Sequence, residues 1–89
     1  MPSKERELLE RISNGEMSFG PKDQSGEALE RFQVEAESIM EELDWLIANG
    51  FIGDYRPHNE SHTSERFIDR ILITEGLTFK GQDKKQWPE

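Results

Sequence analysis

WLIANGFIGDYRPHNESHTSERFIDRILITEGLTFKG, residues 45–81, decides the fold. It opens on apolar residues at helical spacing (Trp45, Leu46, Ile47) and breaks at Asn49-Gly50, a pair that ends helices because glycine adopts the left-handed conformation at little cost. Phe51-Ile52 then starts an extended run expected to reach about Arg56, where Pro57 removes a ladder donor. The polar stretch HNESHTSE reads as a turn. Phe67, Ile68, Ile71, Leu72 and Ile73 form a second run rich in β-branched residues, the signature of a returning strand. Thr74 is expected to close that strand and to cap a short turn containing Leu77 and Phe79. The order is therefore a helix that delivers the chain into a β-hairpin.

Upstream, residues 27–49 contain neither glycine nor proline. Leu29, Phe32, Ala36, Ile39, Leu43 and Leu46 recur at alternating spacings of three and four, the seam of a helix packed on other elements. Met40 and Ile47 widen the stripe, as a globular core requires. Ser25 is placed to cap this helix. Two readings stand: one continuous helix, or two helices broken near Phe32, Gln33, Val34 and Glu35. The unbroken spacing favours one. Earlier still, Leu8, Leu9 and Ile12 share a face of a first helix over residues 3–13, with Ser3 as its expected cap and Asn14-Gly15 as its stop. Met17 and Phe19 alternate with polar residues and suggest a short strand, followed by a loop over residues 20–26.

With its polar hairpin and the ending ILITEGLTFKG, the helix–loop–helix–ANGFI order resembles the winged-helix superfamily, and small uncharacterised bacterial winged-helix-like proteins in particular. The last core helix of such proteins ends in a segment similar to LIANGFI. Their returning strand ends in a pattern similar to L-T-x-x-G-x-x-F, which Ile73, Thr74, Glu75, Gly76 and Phe79 approximate. The resemblance covers residues 27–81. It implies an α+β domain of N-terminal helices followed by a hairpin wing, three helices ahead of that wing, and transcription regulation through DNA. The domain is expected over residues 1–81, with residues 82–89 as a mobile tail and Trp87 exposed in it.

Charge argues against the DNA reading. The chain has 89 residues, a net charge of −8, 34% charged and 33% hydrophobic residues. An acidic surface repels phosphate backbones unless a local basic patch overrides it. The groove-facing positions that the resemblance implies are Glu35, Glu37, Ser38, Glu41, Glu42, Asp44 and Asn49, and none is basic. Cations concentrate instead on the hairpin, at Arg56, His58, His62, Arg66 and Arg70, interleaved with Asp54, Glu60, Glu65 and Asp69. That hairpin is the candidate contact surface for a phosphate backbone or an acidic partner. Trp45, Glu41 and Glu42 mark a candidate partner or dimer surface on the long helix. A small chain with a thin core gains from association, which points to a protein partner or a homodimer.

Chemistry finds little footing in the sequence. The chain has no cysteine, which removes disulfides and thiolate sites and suits a cytoplasmic location. No segment approaches the roughly 20 apolar residues of a membrane span. His58, Glu60 and His62 alternate and would share one face of a strand, but the helical H-E-x-x-H spacing is missing. SFGPKDQSG lacks the Gly-Lys-Ser/Thr ending of a phosphate loop. The expectation is a binding protein rather than an enzyme, without cofactor or metal.

Overall fold

The computed structural model describes residues 1–23, 25–59 and 67–88 of an α+β chain. Helix α1 spans Ser3–Ser13, strand β1 Ser18–Phe19, helix α2 Gly26–Ala48, strands β2 Ile52–Asn59 and β3 Ile68–Leu77, and a short helix α3 Phe79–Gln82. A single 3-10 turn, Lys84–Gln86, follows. The three strands form one antiparallel sheet in the order β1-β3-β2.

α1 begins one residue earlier than a Ser3 cap allows. Pro2 occupies the cap position at φ −58°, no side chain caps the helix, and Ser3 is already helical. Proline's fixed φ suits a helix entrance, and the Pro2 carbonyl accepts from Arg6 N at 3.1 Å. Gly15 leaves the helix at φ +100°, a conformation that disfavours side chains. Leu8, Leu9 and Ile12 point into the core as their spacing requires.

α2 is one helix of 23 residues, capped by Ser25, whose hydroxyl accepts from Ala28 N at 3.1 Å. No break occurs at residues 32–35. The middle helix that the winged-helix resemblance implies is not among the described elements. Phe32, Ala36, Leu43 and Leu46 of the seam are buried and Ile39 is half-buried against the same cluster. Leu29, in the first turn of α2, is half-buried.

The helix ends as Asn49-Gly50 implies. Gly50 sits at φ +80°, Gly50 N donates to Ile47 O at 3.0 Å, and Phe51 N reaches back to Leu46 O at 2.9 Å. This paired closure satisfies carbonyls that a helix end otherwise leaves orphaned. Phe51, the first residue past the turn, is buried and stacks on Trp45, with ring centroids 6.1 Å apart.

The sheet corrects two boundaries. Pro57 does not end β2; it pairs with Ile71 inside a strand that runs to Asn59. β2 is an edge strand, so a residue without an N–H fits there without breaking an inner ladder. Thr74 does not close β3 either. The strand continues to Leu77, and the cap is Thr78, whose hydroxyl accepts from Gly81 N at 3.1 Å. The side-chain cap therefore lies at Thr78 rather than at Thr74. Gly81 is obligatory there, because an added Cβ would collide with the Phe51 carbonyl.

The core also reaches past Gly81. Trp87, expected to be exposed, is 6% exposed and belongs to the same cluster as Leu9 and Phe32. Its indole N–H donates to Gly81 O at 3.0 Å. Arg6 stands 5.8 Å from the ring and donates to Pro88 O at 3.4 Å, tying this segment to α1.

Candidate functional site

Two surfaces follow from this arrangement, an acidic helix face and a hairpin of mixed charge. The first is the solvent side of α2. Because its seam turns toward the sheet and α1, Glu35, Glu37, Glu41 and Asp44 are left exposed. Among the described residues no ion pair neutralises Glu35, Glu37 or Glu41. Asp44 accepts from the Tyr55 hydroxyl at 2.8 Å, joining α2 to β2. Partial burial, followed by that hydrogen bond, pushes the Tyr55 phenol up to about 12. Tyr55 thus packs on the helix-facing side of the sheet.

The candidate partner residues on α2 divide between two environments. Glu41 is exposed. Trp45 is half-buried, its ring committed to Phe51. Glu42 turns into a cleft of about 320 Å³ beside α1, lined also by Lys4, Arg11 and Ile39. Burial and the nearby charge of Glu5 raise the Glu42 pKa above its ordinary value. Elsewhere, two hydrogen bonds from Ser25 hold the exposed Asp23 carboxyl below its ordinary value.

The second surface is the hairpin. Arg56 pairs in register with Leu72, and His58 with Arg70. All three polar side chains, Arg56, His58 and Arg70, are exposed. His58 Nδ1 lies 2.6 Å from Asp69 Oδ1, so an acidic neighbour answers it directly. Arg70 donates to Ser18 Oγ at 3.3 Å across β1. Arg56 has no partner among the described residues. His62 and Arg66, the other candidate contacts, and Glu60 of the alternating His-Glu-His set lie outside the described residues. The described residues contain no group of three or more metal-ligating side chains.

What aims the hairpin is a residue that the sequence reading passed over. Gln33 of α2 extends its amide to the edge of β3: Ile68 N donates to its Oε1 at 2.8 Å, and its Nε2 donates to Ile68 O at 2.7 Å. The side chain substitutes for a neighbouring strand where β1 is too short to reach. A second clamp holds the opposite end. Lys80 Nζ donates to Asn49 O at 2.8 Å and lies 4.6 Å from the centre of the Phe51 ring. Thr78 Oγ1 donates to Gly50 O. α2 has no basic residue in its last turn, so Lys80 supplies from a distance the cation that a helix C-terminus favours.

No protein-family model, curated protein or solved structure significantly matches this chain. No helix among the described residues is long and apolar enough to cross a membrane.

Proposed function

We propose that this is a winged-helix-like domain that works through protein contacts, with a regulatory homodimer as one form of that activity. The strand order β1-β3-β2, with β1 between two helices and a hairpin after the second, supports the winged-helix reading. The observation that carries the protein-contact reading is the solvent face of α2. Glu35, Glu37 and Glu41 stand exposed, with no ion pair among the described residues, on the helix that a groove-binding relative would present to DNA. Carboxylates there repel phosphates and attract basic protein surfaces.

One observation favours a second reading, DNA contact through the hairpin. Among the described residues, Arg56 is exposed without a partner, and the one partner of Arg70 is a neutral serine. Two experiments separate the readings. Sedimentation equilibrium over a wide concentration range tests self-association: a concentration-dependent dimer supports the homodimer, and a strict monomer removes it. Titration of labelled duplex DNA at low salt tests the alternative. Binding that weakens steeply with added salt, and is lost in Arg56→Glu, would establish DNA contact in place of protein contact.

A further inference from the structure

Among the described residues, β2 pairs with β3 on one side and with no strand on the other. An open strand edge ordinarily offers N–H and C=O groups in turn, and so invites a second strand. Which groups of β2 face outward follows from the register. Ile73 N donates to Met17 O at 2.8 Å, so the backbone of Ile73 faces the β1 side of the sheet. In an antiparallel ladder each residue turns its N–H and C=O to one side, and the next residue turns them to the other. Leu72 and Arg70 therefore face β2, opposite Arg56 and His58. The register is unbroken from Tyr55 to His58. The backbone groups of Tyr55 and Pro57 are thus directed outward.

Neither outward position offers a free donor. Pro57 has no N–H. The Tyr55 N–H donates to Asp54 Oδ1 at 2.8 Å. Asp54 stands opposite Glu75 in register, and both are exposed. Like charges directly across a ladder weaken it. Cross-strand pairing therefore gives no reason for an aspartate at position 54, whereas capping the next amide does. Over residues 55–57 the edge presents carbonyl acceptors without donors.

We propose that Asp54 and Pro57 bar strand addition to β2, so that a second copy of this chain cannot lengthen the sheet at residues 55–57. An incoming strand would meet an acceptor but no donor at each outward position, and would lose its own carbonyls from water without a partner. The bar is independent of the homodimer reading. It concerns one edge of the sheet and leaves any pairing through α2 untouched.

The test restores the donors. Pro57→Val returns an N–H in a residue suited to strands. Asp54→Ala frees the Tyr55 amide, while Asp54→Asn removes the same charge but keeps a side-chain oxygen acceptor. Wild type, these three variants and the Asp54→Ala/Pro57→Val double variant are compared by sedimentation velocity across a range of concentrations, with thermal midpoints alongside. The double variant should associate one step beyond whatever state wild type holds, at concentrations lower by about tenfold or more, because two donors per copy are regained. Asp54→Asn should match wild type, which separates the capped amide from the general repulsion of an acidic chain. Amide exchange at Tyr55 should slow with rising concentration in the double variant but not in wild type. Wild-type association by the double variant, association of Asp54→Asn equal to that of Asp54→Ala, or association that comes only with a lowered thermal midpoint would overturn the proposal.

Discussion

α2 and the segment after β3 enter the same core by different means. α2 does so by repetition: a stripe at helical spacing buries Phe32, Ala36, Leu43 and Leu46 in turn. The C-terminal segment does so by isolated contacts: Thr78 caps, Gly81 clears the Phe51 carbonyl, Lys80 binds Asn49 O, and Trp87 fills a space beside α1. Repetition spreads stability over many residues, each replaceable in kind. Point contacts concentrate it in a few side chains, each with one geometry. The two meet at residues 49–51, where the end of α2 and the cap of α3 hold each other.

Substitutions can break or sharpen that contrast. Leu43, wholly buried at the centre of α2, should show the largest effect. Leu43→Ala should cost about 4 kcal/mol in urea unfolding, as a lost side chain plus the cavity left behind. Trp87→Ala comes next, at about 3 kcal/mol. A loss under about 0.5 kcal/mol would mean that the C-terminal segment merely rests on the domain. Gln33→Ala leaves Ile68 N and O unpaired at a half-buried edge, and should cost about 2 kcal/mol. In the same variant, amide exchange at Ile68 should accelerate more than at Ile71, because β1 still covers the latter. Ser25→Ala removes one cap and should cost about 1 kcal/mol, confined to fraying of the first turn of α2.

The same contrast explains what the sequence disclosed. Periodicity sufficed for α1, for α2 as a helix and for the Asn49-Gly50 ending, because burial on one face must recur with the helical repeat. The hairpin was legible from Phe51-Ile52 and from the β-branched run ending at Ile73. Its limits were not, because Pro57 is tolerated only through its edge position, a property of the sheet rather than of the residue. The threonine cap was read four residues early, at Thr74. Both threonines follow an apolar residue, and only the position of Phe51 shows which one has a glycine beneath a carbonyl. Trp87 carried no local signal at all, since its partners Arg6 and Gly81 come from separate elements. Of the candidate surfaces, the acidic face of α2 was visible as the complement of its seam. The Gln33 bridge was not, because it joins residues that only the tertiary fold brings together.

The reading of function depends on α2 being a single helix that keeps its carboxylates toward water. Residue-resolved amide hydrogen exchange tests this most directly. One uninterrupted protected stretch through Phe32, Gln33, Val34 and Glu35, continuous with the protection around Leu43, is the predicted result. Fast exchange confined to those four residues, with protection on both sides, would contradict it: α2 would be two helices joined by a turn, and the acidic face could no longer be placed by the seam described above.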